Sequence, residues 1–413
     1  MIMLVVTVSL AQRELSQLST IGVDTEQHNI PLDEILSGGP PPNGIPPIGF
    51  TGDWKGAASA TPAPAFVTQD QASEWLEDQE PVVAFSLGEE TKAYPLQILT
   101  WHEIVNDEVG GVPVAVTFCP LCNSALAFDR RIPLTEATQT EVTDQNPEAT
   151  TEPLDDTFLE AYEAQGGDAA SLTGGLEVSL GVSGTLYNSN LLMFDSGTST
   201  LWSQILGAGN VGILTDTELL RYPAQIVSYA EFKEAFPDAP VLSRETGVSR
   251  RYGQNPYVGY DDADSPAFLF SGVPDERLEP KARVISVDTP QETAAYPFSI
   301  LEERRVVNDT VGAQPVTLFW QEGTSSALDT GSIAEGRDVG AVGVFAPDVE
   351  GRSLTFTWSG EAFTDEETGS TWNLLGQAVE GELAGAQLKP VVHDNTLWFA
   401  WAAFKPETRV YSE

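Results

Sequence analysis

Histidine, methionine and cysteine are nearly absent: three His, three Met and two Cys in 413 residues. Two cysteines allow one bridge at most, which excludes a disulfide-stapled framework. Cations are scarce too. Lys and Arg total 20 against 61 Asp and Glu, giving a net charge of −41 and a pI near 4.1. Phosphate binding needs clustered Lys and Arg, so nucleic acid and anionic membrane are excluded as partners. No run is apolar for long enough to cross a bilayer, so no integral membrane span is expected. The chain also lacks a G-x-S-x-G elbow, a Walker loop, a dinucleotide fingerprint and an Asp-x-Asp-x-Asp-Gly calcium loop.

Aromatic residues are plentiful, with 9 Trp, 10 Tyr and 18 Phe. A chain so acidic but so rich in aromatics is expected to fold rather than stay disordered. Its length allows two or three domains. An acidic folded surface with little Lys suits molar salt, where the Debye length shrinks to roughly 3 Å and carboxylates stop repelling one another. A halophilic origin is expected. Met1–Ala11 is apolar over the length of a signal-peptide core but has no basic residues before it. A clipped or mis-started signal peptide is the favoured account, and a buried first strand the competing one. The first account implies an extracytoplasmic protein, secreted or at the cell surface, with a membrane-surface tether through the lost signal left open. No partner is indicated.

The chain resembles itself. AYPLQILTWHEIVND at 93–107 returns as AYPFSILEERRVVND at 295–309, an offset of 202 that holds through Pro113 and Pro315 to Ser124 and Ser326. Downstream, SGTLYNSNLLMFDSGTSTLWSQILG (183–207) is echoed by SGEAFTDEETGSTWNLLG (359–376). Short alternating apolar runs bounded by Gly and Asp predict strands. Helices are expected after Tyr94-Pro95, with Leu96, Leu99 and Ile104 facing inward, and over Tyr229–Ala235, with Phe232 and Phe236 inward. The expected fold is mainly β (a β-rich α+β class), two diverged repeats of a small antiparallel barrel or sandwich with short helices. Residues 1–20 form the signal-like segment, 21–250 the first repeat and 251–413 a linker strap with a degenerate second repeat. Residues 131–175, rich in Thr, Glu, Asp and Gln, are expected to be a solvated, partly disordered insertion. Ser37–Phe50 is expected to be loop, and RYGQNPYVGYDD an ordered aromatic strap.

Cys119 and Cys122, in TFCPLCNSA, can clamp a metal, form a redox-active disulfide or form an inert one. The offset of 202 pairs them with Gln321 and Thr324, and pairs His102 with Arg304, while Asn106, Asp107, Pro113 and Ser124 keep identical partners. All three soft-ligand side chains are lost together in the second copy. That pattern points to one shared site, His102 with Cys119 and Cys122, taking up copper or zinc. A histidine satisfied within the core beside Trp101 is the alternative. Glu103 or Asp107 would orient His102 through its second nitrogen. Met193 is a weak candidate for an extra ligand and reads better as a core residue. Asn106-Asp107 and Asn308-Asp309 read as turn or cap residues, Asp195 and Asp365 as turn residues, and Trp202 and Trp372 as core anchors.

AYPLQILTWHEIVNDEVGGVPVAVTFCPLCNSALAFDR, followed by SGTLYNSNLLMFDSGTSTLWSQILGAG, resembles the family catalogued as domain of unknown function 3179 (DUF3179), here in a halophilic-type form. The resemblance is close over Leu32–Ser243 and weaker beyond. It carries the motif onto His102, Glu103, Val105, Asn106, Asp107 and Cys119 to Cys122, and implies an extracytoplasmic setting, but its name assigns no role. Three functions remain in view: a Cys-Cys-His metal-binding protein, a thiol-disulfide oxidoreductase with Cys119 as nucleophile and Cys122 as resolving thiol, and a surface protein with a structural disulfide. Whether the site is catalytic stays open. The composition makes one prediction of its own. The urea midpoint should rise steeply between about 0.1 M and about 3 M KCl, as screening removes carboxylate repulsion; a flat or falling midpoint contradicts salt adaptation.

Overall fold

The computed structural model describes residues 18–52 and 60–412, so the apolar segment Met1–Ala11 lies outside the described residues. The fold is β-rich, with eight small, mostly antiparallel sheets among the described residues.

A hairpin of Pro81–Leu87 and Glu90–Pro95 runs straight into the helix Leu96–His102. Pro95 stands at the N-cap in an extended conformation, as a residue with no amide hydrogen to satisfy can. The helix ends at Glu103, whose φ is +59°, and the strand Ile104–Val109 begins at once. Leu96, Leu99 and Ile104 are buried as expected. Later in the chain Thr293–Pro297, Phe298–Arg304 and Val306–Val311 repeat these steps, with Pro297 at the N-cap and Arg305 at φ +65°.

Strand order recurs as well. One sheet runs Gln225–Ser228, Pro81–Leu87, Glu90–Pro95, Val241–Leu242 and Phe66–Val67; another runs Asp394–Leu397, Arg283–Asp288, Thr293–Pro297 and Arg409–Val410. Each contains one short parallel pairing, Val241 with Ala93 and Val410 with Ala295. The order Ile104–Val109, Val112–Cys119, Ser124–Asp129, Arg221–Tyr222 is matched by Val306–Val311, Gln314–Gln321, Ala341–Ala346, Lys389–Pro390. The helix Tyr229–Ala235 has the bounds expected from its sequence. Phe232 is fully buried and Phe236 only partly so.

The two halves fill each other's cores. Tyr229 and Phe232, with Val82 and Ala93, pack among Phe319, Phe345, Phe363 and Trp372. Reciprocally, Trp398, Phe399 and Trp401 of the helix Trp398–Phe404 pack among Ala115, Leu126, Val182 and Trp202. Burying each such side chain contributes about 1.5–3 kcal/mol, so neither half keeps its core without the other.

Two expectations are corrected. Residues 131–175 are ordered. Strands Arg131–Thr135 and Leu172–Glu177 pair, and the helices Glu136–Gln145 and Asp156–Ala164 start at Thr135 and Asp155 caps. Ile132, Leu134, Val142 and Phe158 anchor this insertion in the core. Asn106 and Asp107, read as turn or cap residues, lie inside a strand. Asn106 Oδ1 accepts from Leu180 N at 2.8 Å, and its Nδ2 donates to Leu180 O at 3.0 Å. Asn308 holds Phe356 by the same two bonds, at 3.1 and 2.8 Å. Asp107 accepts from Tyr94 Oη and Lys92 Nζ, as Asp309 does from Tyr296 Oη and Arg409. Asp195 and Asp365 are turn residues as read, each also accepting from a buried indole, Trp202 or Trp372, at 3.0 Å.

Asn106→Ala strands the buried Leu180 amide and carbonyl. It should lower the unfolding free energy by about 2–4 kcal/mol, read from urea denaturation; a change under about 0.5 kcal/mol contradicts the role assigned to this side chain.

Candidate functional site

The strand Val112–Cys119 ends in a turn that brings Cys122 back beside Cys119, with Cys122 N donating to Cys119 O at 3.1 Å. Both thiols are free, buried and aimed at one acceptor, Ser189 O, at 4.0 and 3.7 Å. They also hydrogen-bond to one another. Asn190 Nδ2 donates to Cys122 Sγ at 3.4 Å and is itself held by Gln204. Burial, then the neighbouring Cys119, pushes the Cys122 thiol well above its usual range.

The third residue expected here is elsewhere. His102 is buried at the end of its helix, stacked on Tyr252 with ring centroids 5.8 Å apart. Its Nδ1 lies 2.7 Å from Pro46 O, an atom that can only accept, so Nδ1 carries the proton. Nε2 lies 2.7 Å from Tyr252 Oη. Burial lowers its pKa to about 4, so the ring is neutral and both nitrogens are engaged. Among the described residues His102 therefore does not converge with the two sulfurs, and its ring is satisfied by Pro46 O and Tyr252 Oη. Nor do Glu103 or Asp107 orient the ring: Asp107 is paired with Lys92 and Tyr94. Met193 is fully buried, paired across its sheet with Val182 and Trp202, as a core residue. Among the described residues one trio of potential metal ligands converges, Asp261, Asp262 and Asp329. Arg283 and Arg337 already offset two of its three charges, at 2.6–2.9 Å from Asp261 and Asp329.

Around the thiols stand groups that the sequence reading did not single out. Lys281 is buried, and its Nζ makes no hydrogen bond. It sits 3.3 Å from the Tyr260 ring centroid and 4.8 Å from that of Phe399, close enough to Cys122 and Asp261 to feel both charges. Burial lowers its pKa to about 8, leaving it charged at neutral pH. The available signal was scarcity: Lys281 is one of six lysines in the chain. The strap over residues 244–280 is ordered, and it supplies Tyr252 to His102, Tyr257 to Glu103 and Tyr260 to the thiols.

Glu103 lines a cavity of about 310 Å³ together with Leu121, Val182, Tyr257, Tyr260 and Phe268 among others. Leu121 belongs to the Cys-Pro-Leu-Cys turn, so the cavity abuts the thiol pair. Burial raises the Glu103 carboxyl to about 8, only partly offset by its hydrogen bond with Tyr257.

A family model described as "Protein of unknown function (DUF3179)" matches residues 42–408, and the chain belongs to that family. No curated protein and no solved structure matches it.

The buried carboxyls set a pH dependence. Glu103 (about 8), Glu80, Glu231 and Asp394 (each about 7) have pKa values raised on folding. The stability such groups contribute is complete below their unfolded pKa near 4.5 and is lost as pH rises through the folded value. His102 and His393, both lowered to about 4, act in the opposite direction, but their unfolded rings are already half titrated at about pH 6.5, so they offset only a small part of the fall above it. Unfolding free energy should therefore fall between pH 6.5 and 8, with Glu103 contributing about 2 kcal/mol of that drop. Glu103→Gln should remove this share. An unchanged slope in the variant contradicts the assignment.

Proposed function

We propose that the Cys119–Cys122 pair is a buried dithiolate site for copper(I). The supporting observation is a buried cation, Lys281, seated on the Tyr260 ring without a hydrogen bond of its own and within electrostatic reach of Cys122. Two thiolates around a monovalent ion leave one negative charge, and burying it alone would be expensive. The Lys281 ammonium cancels it. Copper(I) is soft, so thiolate sulfur suits it. Zinc asks for four ligands, or three and a water, and no third Cys, His, Asp or Glu joins the two sulfurs among the described residues. Copper is therefore favoured over zinc. Asn190 Nδ2 completes the surroundings, because a hydrogen bond to sulfur favours its anionic form. Binding displaces both thiol protons, so affinity should rise with pH.

The thiol-disulfide reading is weaker on the same facts. A nucleophilic cysteine needs access to its target, whereas both sulfurs are buried, and burial raises the thiol of Cys122, the resolving partner in that reading.

Titration of the reduced chain with copper(I) against a chromophoric chelator should give one ion per chain. Cys119→Ser/Cys122→Ser should abolish binding, His102→Asn should leave it within about two-fold, and Lys281→Met should weaken it about 10-fold or more. Equal copper uptake by the double serine variant contradicts the proposal. Failure of the wild type to bind, together with reversible disulfide formation seen by thiol alkylation, would favour the redox reading.

A further inference from the structure

The cavity beside the Cys-Pro-Leu-Cys turn carries a second inference, which does not depend on copper. It is lined by a buried carboxyl, Glu103, and by the rings of Tyr257, Tyr260 and Phe268. Glu103 forms no ion pair, and Tyr257 is its hydrogen-bond partner. Lys281 sits over Tyr260 but does not line the cavity.

The later half of the chain shows what the same backbone does with a cation. Arg305 occupies the helix-ending position that Glu103 occupies earlier, at nearly the same φ. Its guanidinium lies 4.5 Å from the Trp320 ring centroid and 5.9 Å from that of Trp358. Trp358 stands two residues beyond Phe356, which Asn308 holds. Val182 stands two residues beyond Leu180, which Asn106 holds by the same bonds. At these positions the later half therefore places tryptophan against its own arginine. The earlier half has a valine, an open cavity and a carboxyl, and the strap supplies the aromatic walls.

We propose that this cavity binds a small organic ammonium ion, its charge facing Glu103 and its apolar body between Tyr257, Tyr260 and Phe268. Ring faces attract cations, most strongly where water is excluded. An anion has no partner here, since none of the lining residues is basic. A neutral ligand would meet the protonated carboxyl and gain no ion pair. About 310 Å³ lies at the small end of ligand cavities and has room for about ten non-hydrogen atoms. The raised pKa of Glu103 agrees with this reading, because a bound cation would restore the ionised form that burial opposes.

The test is calorimetric titration of the full chain with 2-phenylethylammonium, 2-phenylethanol and phenylacetate, matched in shape and differing in charge. The ammonium should bind at least about 10-fold more tightly than the alcohol, and phenylacetate should not bind. Glu103→Gln should remove that preference while leaving the alcohol's affinity unchanged. Val182→Trp, which copies the later half, should abolish binding of both. Equal binding of alcohol and ammonium, an unaltered preference in Glu103→Gln, ammonium binding that survives Val182→Trp, or binding of none of the three would each overturn the proposal.

Discussion

A single carbonyl oxygen joins the two halves of the chain at the site. Cys122 O accepts from Leu397 N at 2.8 Å and from Thr396 Oγ1 at 3.0 Å, both on a strand of the later half. Beside it, Ser124 donates to Asp394 and Asn123 to Asn395. The turn that carries both thiols is thus held by a strand nearly three hundred residues away. That strand leads into the helix whose Trp398 and Trp401 fill the first half's core. Lys281 and the residues that seat it come from the same later segment. Site and fold stand or fall together, because the groups that compensate charge at the thiols arrive only when the halves interlock.

Electrostatics decides what such a place can hold. The surface is crowded with carboxylates, yet the described interior around Cys122 sets the Lys281 ammonium, seated on aromatic rings, and the Asn190 donor against the Asp394 carboxyl. A buried cation with no hydrogen bond is costly unless a negative charge completes it. In the proposed copper site, deprotonated sulfur would supply that charge alongside Asp261, and a soft monovalent ion would offset part of it. The neighbouring cavity presents the converse, a carboxyl and aromatic rings with no basic residue in the lining. The two environments meet at Leu121, and in the proposed roles each would select its ligand by the charge it lacks.

Much of this was legible in the sequence. Pro95 announced its helix because a proline fits a helix start, and the capped helix at Tyr229 began where its pattern placed it. The strap was recognisable by its aromatics. What failed were inferences from residue type without a partner. Asn and Asp favour turns on average, but Asn106 serves a strand from another part of the chain. The shared loss of Cys119, Cys122 and His102 in the later half suggested one site, whereas His102 left with a separate partner, Tyr252, which the strap supplies only once. Residues 131–175 looked solvated because four apolar anchors, Ile132, Leu134, Val142 and Phe158, are diluted by polar neighbours. Lys281 and Tyr260 were out of reach because only the tertiary fold brings them to the thiols.

The most direct test of the central claim is X-ray absorption at the copper edge of the copper(I)-loaded, reduced chain. The account predicts a first shell of sulfur alone, from Cys119 and Cys122, unchanged in His102→Asn. A nitrogen neighbour that disappears in that variant would contradict it and restore the histidine to the site.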